Sequence, residues 1–158
     1  MNTTVGNLFE YCGKDDFIDI VIHGCNAQGR MGSGFAKELR ERFPEAYEVY
    51  NKRYNEHGLQ LGEVIYYVHP TENVMIANAI TQNNYGYDGS KYASYDAVDV
   101  CFKNINQQVL NLQDSGFKVR LNFPLIGCDL GGLKWEVVEQ IIKVNISAPV
   151  ELNLFKLK

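Results

Sequence analysis

The sequence predicts an α/β protein in which a central sheet lies between two layers of helices. Strand-like and helix-like patterns alternate along the chain, without internal repeats or linkers. One strand-like segment is apolar on both faces, as is typical of a strand covered by helices on both sides. Two glycine-rich segments each connect a strand pattern to a helix pattern, and ligands usually bind at such connections. The length of 158 residues fits a single domain spanning residues 1–158.

The first elements flank the first glycine-rich segment. The segment from Phe17 to His23, FIDIVIH, is apolar apart from Asp19 and predicts a central strand. GCNAQGRMGSG follows it, and Ser33 is placed to cap the next helix. Apolar residues at helical spacing predict that helix: Phe35, Ala36, Leu39 and Phe43.

The middle of the chain predicts a helix, two strands and a loop. Pro44 fits the first turn of a second helix, and Gly58 fits its end. Strand patterns follow near Glu63–Val68 and Val74–Ile80. The polar, aromatic and glycine-containing stretch from Thr81 to Lys91 predicts a binding loop.

The remaining elements surround the second glycine-rich segment. A long amphipathic pattern predicts a helix that ends at Gly116, and Val119–Phe123 predicts a strand. The second segment, PLIGCDLGGLKW, precedes a predicted helix from about Trp135 to Val144. A last strand is expected near Val150–Phe155.

Composition excludes several classes of function. The net charge of −4, with 46% apolar and 22% charged residues, is typical of a soluble globular domain. An acidic chain lacks the clustered Lys and Arg that binding to long nucleic acids requires, so we expect no long nucleic acid as a partner. The chain has neither a membrane-length apolar run nor a signal-peptide pattern, so we expect a cytoplasmic protein without membrane contact.

The cysteines and the spacing of possible ligands argue against a metal. The four cysteines have no C-x-x-C spacing and predict reduced thiols: Cys12, Cys25, Cys101 and Cys128. Carboxylates and histidines form no cluster at metal-ligand spacing. We therefore expect no metal and no cofactor.

The glycine-rich segments predict a phosphate site. Half of the 14 glycines lie in these two connections: Gly24, Gly29, Gly32, Gly34, Gly127, Gly131 and Gly132. Glycine allows close backbone approach, and helix N-termini present unpaired N–H groups, so such loops bind phosphate without lysine. The alternative is that these glycines only shape tight turns.

Known nucleotide and phosphatase motifs do not match. The first segment has G-x-x-G-x-G order instead of G-x-G-x-x-G, and no G-K-[ST] follows either segment. Cys25 and Arg30 have C-x₄-R spacing, which suggests a thiolate nucleophile for phosphoryl transfer. The cysteine phosphatases use C-x₅-R, however, and Cys is commonly a buried core residue.

The chain resembles the macro domain family over nearly its whole length. The resemblance rests on IVIHGCNAQGRMGSGFAKELRERFPEAY, LGEV, IANAITQ, YDAV and PLIGCDLGGLKWEVVEQII. It is strongest to the branch that includes yeast ADP-ribose 1''-phosphate phosphatase and phage-encoded relatives. It implies a three-layer α/β/α fold with a mixed, mostly parallel sheet. It also implies ADP-ribose, or ADP-ribose 1''-phosphate, as the partner, bound in a cleft at the strand ends.

The resemblance also implies the binding residues. Asn26 matches the asparagine that touches the distal ribose, and the segment around Ser33 matches the loop that wraps this ribose. Asn7 stands where macro domains usually carry an aspartate that accepts from the adenine amino group, and an amide oxygen accepts this bond more weakly. The expected ligand-binding residues are Asn7, Leu8, Gly24, Asn26, Gly32, Ser33, Gly34, Ile126, Gly127, Cys128, Asp129, Leu130 and Gly131.

The resemblance further separates two kinds of chemistry. The macro domains that remove ADP-ribose from glutamate use a lysine and an aspartate, where this chain has Gln82 and Gly131. His23 and Asp129 are the acid–base groups available to a phosphatase, and Asn26 orients the ribose. The histidine alternatively bonds the backbone, and Asp129 alternatively caps a turn. Two alternative functions remain open: a non-catalytic ADP-ribose reader and a hydrolase for non-glutamate linkages. The candidates to line the cleft are Tyr85, Tyr87 and Leu130.

Overall fold

The computed structural model describes residues 1–32, 34–84, 92–128 and 131–156, which form one sheet with helices on both faces. A short 3-10 helix, Leu8–Glu10, follows the first strand. The strands are β1 (Asn2–Val5), β2 (Ile18–Asn26), β3 (Val64–Val68), β4 (Val74–Gln82), β5 (Val119–Phe123) and β6 (Glu151–Lys156). The α-helices are α1 (Gly34–Arg42), α2 (Pro44–His57), α3 (Tyr95–Asp114) and α4 (Trp135–Asn145).

The sheet is mixed and mostly parallel, as the resemblance implies. Its order is β1-β6-β5-β2-β4-β3, and only the pairing of β3 with β4 is antiparallel. Strand β2 lies between β4 and β5, and Ile20, Val21 and Ile22 in it are fully buried. The prediction of a central strand here is confirmed.

Two hydrophobic layers hold the helices to the sheet. Successive strand residues point to opposite faces, so Ile22 packs in the layer beneath α3 and α4, whereas Val21 packs in the layer beneath α1 and α2. Phe102 of α3 meets Phe123 of β5 in the first layer. The three-layer α/β/α arrangement is therefore confirmed.

Several boundaries differ from the sequence prediction. Strand β2 continues to Asn26, because its pairing with β4 extends past His23. Strand β1 is not among the predicted elements, since NTTV has no apolar alternation; its pairing with β6 defines it. The predicted cap Ser33 lies outside the described residues, as does most of the predicted binding loop.

Candidate functional site

A cavity of about 810 Å³ opens at the carboxyl ends of β2 and β4. Sheets of parallel strands bind ligands beyond the carboxyl ends of their strands, and the volume of this cavity suits a small-molecule ligand. The cavity brings together the expected ligand-binding residues that the structure describes: Asn7, Leu8, Gly24, Asn26, Gly32, Gly34, Ile126, Gly127, Cys128 and Gly131. Ser33, Asp129, Leu130, Tyr85 and Tyr87 lie outside the described residues.

The first wall of the cavity is the turn after β2, which the Asn26 side chain closes. Its Oδ1 accepts hydrogen bonds from the N–H groups of Gln28 at 3.0 Å and Arg30 at 3.4 Å, and its Nδ2 donates to the Arg30 carbonyl at 2.8 Å. The Tyr50 hydroxyl donates to the Asn26 main-chain carbonyl at 2.6 Å. Asn26 thus shapes the loop from which it is expected to contact the ribose.

The second wall is the turn that contains Gly127, whose φ of +74° favours glycine. The Gly127 carbonyl accepts a hydrogen bond from the Leu133 N–H at 2.8 Å. Gly131 packs against the same carbonyl, because a Cβ at Gly131 would lie 2.5 Å from the Gly127 oxygen. This backbone therefore has no room for a side chain at Gly131.

His23 lies under the cavity floor and is only 1% exposed. Burial lowers the pKa of His23 from its ordinary value of 6.5 to about 4, because a charged imidazole is poorly solvated there. The hydrogen bond to Asn78 opposes this shift only partly. His23 is therefore uncharged at neutral pH, which argues against a role as a proton-donating imidazolium there.

Asn78 determines which nitrogen of His23 carries the proton. The Asn78 Nδ2 donates to the carbonyls of Ala46 at 3.2 Å and Ile65 at 3.0 Å, which orients its oxygen toward His23. The Asn78 Oδ1 therefore accepts from His23 Nε2 at 2.6 Å. This assignment leaves Nδ1 as the unprotonated nitrogen, 3.7 Å from the sulfur of Cys25.

Cys25 is a buried thiol of the α1 and α2 layer. It is 4% exposed, and its Sγ lies 3.4 Å from His23 Nε2. Burial raises the pKa of Cys25 well above its ordinary value of 9.0. Because the thiolate is the nucleophilic form, these surroundings argue against the C-x₄-R phosphatase hypothesis and favour a packing role.

Asn7 lies at the other end of the cavity and caps the 3-10 helix. Its Oδ1 accepts from the Phe9 N–H at 2.9 Å, and its Nδ2 donates to Glu38 Oε1 at 3.3 Å. Phe9 stacks on Phe35 of α1, with ring centroids 5.3 Å apart, which holds this helix beside Asn7. The Glu38 carboxylate therefore stands next to Asn7 in the lining of the cavity.

Only one of three further lining residues belongs to a predicted ligand-binding segment: Thr81, the first residue of the predicted binding loop, also lines the cavity. Glu38 reaches it only through the packing of α1, which no local pattern reveals. Lys156 ends β6, and Thr81 lies within one residue of the end of β4. The strand-end rule points to both, since these strands run parallel to β2 or its neighbours.

The part of the chain that the structure describes has neither a cluster of metal ligands nor a helix that could cross a membrane. In these residues no three His, Cys, Asp or Glu side chains lie close enough to hold a metal ion. The helices of the same ranges are too short or too polar to cross a membrane.

Comparisons with known proteins agree with the fold. The macro domain family model matches residues 22–142. A Candida albicans protein named ADP-ribose 1''-phosphate phosphatase is 24% identical over 87% of this chain and 88% of its own length. A 17.5 kDa protein of Enterobacteria phage T4 is 29% identical over 77% of this chain and 76% of its own length.

Structural similarity extends over almost the whole chain. A solved protein of unknown function from Bacteroides thetaiotaomicron superposes with a TM-score of 0.83 and 27% identity, covering 98% of this chain and 96% of that one. The family model spans most of the sheet and both glycine-rich segments. The chain therefore belongs to the macro domain family, and its relatives include the yeast and phage proteins of the branch that the sequence resembles.

Proposed function

We propose that this chain binds ADP-ribose and hydrolyses ADP-ribose 1''-phosphate to ADP-ribose and inorganic phosphate without a metal ion. The observation that carries the proposal is the convergence of both glycine-rich segments on one cavity at the strand ends. The names of its fungal relatives, at 24% to 25% identity, support the same activity.

The ligand is proposed to lie across the cavity. Its diphosphate lies between the turn after β2 and the turn at Gly127, where backbone N–H groups neutralise phosphate charge. Asn26 orients the distal ribose from a loop that Tyr50 holds in place. The adenine lies toward Asn7 and Glu38 at the opposite end.

The proposed reaction is attack of water on the terminal phosphorus. The bond from phosphorus to the anomeric oxygen breaks, a proton passes from the water to a base, and the leaving oxygen gains a proton. Asp129 is assigned to activate the water. Because His23 is uncharged and its Nε2–H bonds Asn78, we assign it a positioning role beneath Gly24 and Asn26.

Phosphate release from ADP-ribose 1''-phosphate in the presence of a chelator tests the activity. Asp129→Ala is expected to reduce release at least about tenfold and to leave ADP-ribose binding largely intact, because positioned acid–base groups contribute about 10²–10⁴-fold. Asn26→Ala is expected to weaken both binding and release. Calorimetry with ADP-ribose and AMP measures the binding; equal or absent affinity for the two ligands contradicts the proposed site.

A non-catalytic ADP-ribose reader is the second candidate, and the uncharged His23 favours it. A reader binds ADP-ribose without turnover of any ADP-ribosyl substrate. Binding without phosphate release in the chelator assay would therefore select the reader. Loss of release on alkylation of Cys25, with no effect of the His23 and Asp129 substitutions, would restore the thiolate hypothesis.

Removal of ADP-ribose from glutamate is expected to be slow or absent. The Gln82 Nε2 donates to the Asn84 carbonyl at 2.7 Å and offers no amine, and Gly131 has no room for a carboxylate. A protein automodified on glutamate is the substrate for this assay. Rapid release from it would show that both positions are wrongly matched to the family. Hydrolysis of non-glutamate linkages stays open under this argument.

A further inference from the structure

Glu38 places a carboxylate in the wall of the cavity at its Asn7 end. The residue lies in the second turn of α1, and it lines the cavity together with Phe35, since residues three apart share a helix face. The Asn7 Nδ2 donates to Glu38 Oε1 at 3.3 Å. Within the described ranges no other donor and no cation contacts this carboxylate, so its Oε2 is free to accept a hydrogen bond from a ligand.

Asn7 presents a donor, not an acceptor, toward Glu38. Its Oδ1 accepts from the Phe9 N–H at 2.9 Å and so caps the 3-10 helix. This bond determines which end of the amide group faces Glu38: the nitrogen, which only donates. The acceptor at this end of the cavity is therefore the Glu38 carboxylate rather than the Asn7 amide.

The surroundings of this carboxylate suit a flat ring. Leu8 and Phe35 line the cavity beside the polar pair, and Phe9 stacks on Phe35 with ring centroids 5.3 Å apart. Ligand pockets of this kind bury a ring against apolar side chains and fix its orientation with a few polar groups. An ionised carboxylate only accepts hydrogen bonds, so the ring edge that meets it must donate one.

We propose that Glu38 sets the base specificity of the cavity by accepting a hydrogen bond from the exocyclic amine of the ligand's base. This inference rests on the proposed function, which brings an adenine base to this end of the cavity. It adds a specificity-determining residue on α1, at a position that the sequence pattern does not single out.

Ligands that differ only in this amine test the role of Glu38. Calorimetry measures the affinities for ADP-ribose and for its counterpart with unsubstituted purine, and likewise for AMP and purine riboside monophosphate. The wild type is expected to prefer the amine-bearing ligand of each pair about tenfold or more, the scale of a hydrogen bond to a charged group. Glu38→Ala is expected to remove this preference, and Glu38→Gln to weaken it, because a neutral amide oxygen is the poorer acceptor.

Glu41→Gln is the matched control. Glu41 is an exposed glutamate of the same helix and does not line the cavity. Removing either negative charge favours anionic ligands in general, and the ratio of two affinities cancels this effect. Glu41→Gln is therefore expected to keep the wild-type preference, and equal losses in Glu38→Gln and Glu41→Gln would overturn the inference.

Asn7→Ser separates the two polar residues. Serine is also a favourable N-cap residue, so the cap bond is kept while the amide nitrogen is removed. This variant is expected to keep most of the preference for the amine, because the Glu38 carboxylate remains. Loss of the preference in Asn7→Ser together with its retention in Glu38→Ala would show that residue 7 is the acceptor and would overturn the inference.

The outcomes separate this inference from the proposed function. If ADP-ribose binds but the wild type shows no preference, or Glu38→Ala keeps it, the inference fails and the function stands. If AMP shows a Glu38-dependent preference while ADP-ribose does not bind, or binds without phosphate release from its 1''-phosphate, the inference stands and the function fails. If the wild type binds none of the four ligands, both proposals fail.

Discussion

His23 and Asn78 form a buried polar pair whose bonding is almost complete. The Asn78 amide nitrogen donates to two main-chain carbonyls, and its oxygen accepts a hydrogen bond from His23. Buried polar groups are tolerated when they are paired in this way, and the pairing fixes one side-chain arrangement. The pair connects β2 and β4 with the start of α2, directly beneath the cavity.

The first prediction concerns the pH dependence of stability. In the folded chain burial holds the pKa of His23 at about 4, whereas an unfolded chain titrates histidine near 6.5. The unfolded state therefore binds more protons between these values, so stability is full above the unfolded pKa and falls as the pH is lowered. The free energy of unfolding is expected to fall by up to about 1.4 kcal/mol per pH unit.

Urea unfolding between pH 7 and pH 4.5 measures this slope. His23→Gln is expected to remove this part of the pH dependence, because the variant carries no titrating imidazole in the core. His57→Gln is the matched control, since its ring is 60% exposed, and it keeps the slope. An unchanged slope in His23→Gln would show that His23 is not the buried titrating group.

At the scale of elements, the ends of β2 and β5 form the two walls of the cavity. Each strand leads into a turn with a glycine in the left-handed region, Gly29 with φ of +75° and Gly127 with φ of +74°. The turn after β5 is further constrained by Gly131, which packs on the Gly127 carbonyl. The wall geometry therefore depends on glycines for two different reasons, conformation and space.

The second prediction compares two glycines of the cavity. Gly131→Ala is expected to lower the free energy of unfolding by about 2 kcal/mol, because its Cβ would meet the Gly127 oxygen at 2.5 Å and overpacking costs about 1–3 kcal/mol. Gly32→Ala has no neighbour within 4 Å and an ordinary φ, so its change should stay within about 0.5 kcal/mol. Chemical denaturation measures both, and equal losses would contradict this geometry.

At the scale of the whole molecule, a buried ion pair lies at the amino ends of β2 and β5, opposite the cavity. Asp19, only 1% exposed, accepts from the Gly13 N–H at 2.9 Å, Arg120 Nε at 2.9 Å and Asn122 Nδ2 at 3.0 Å. Arg120 also bonds Asp15 at 2.7 Å, and the pKa of this carboxyl is lowered first by the hydrogen bond from the Phe17 N–H and further by Arg120. The buried ion pair and the cavity thus lie at opposite ends of the parallel strands.

The third prediction tests this separation. Arg120→Gln is expected to lower the free energy of unfolding by about 3 kcal/mol, because it leaves the buried Asp19 carboxylate without its cation. Lys118→Gln breaks an exposed pair with Asp16 and should cost less than about 1 kcal/mol. The affinity for ADP-ribose should be unchanged in both folded variants. Similar losses of stability in the two variants would contradict a special role of the buried pair.

The sequence by itself determined the order of the elements. Local patterns sufficed for α2, β5 and α4, whose observed bounds agree with the prediction to within a residue or two, because apolar periodicity and capping act between near neighbours. The resemblance to the macro domain family also pointed to both glycine-rich segments as parts of the binding site. Strand β1 escaped prediction, since only its pairing with β6 defines it.

Only the tertiary structure decided the chemical state of the cavity. Whether His23 is charged depends on burial and on Asn78, which is 55 residues away in the chain. Glu38 meets Asn7 through the packing of α1, and the Thr81 hydroxyl packs against Gly24 through the pairing of β2 with β4. Solvation and hydrogen bonding depend on distances between residues far apart in sequence, so no local pattern carries them.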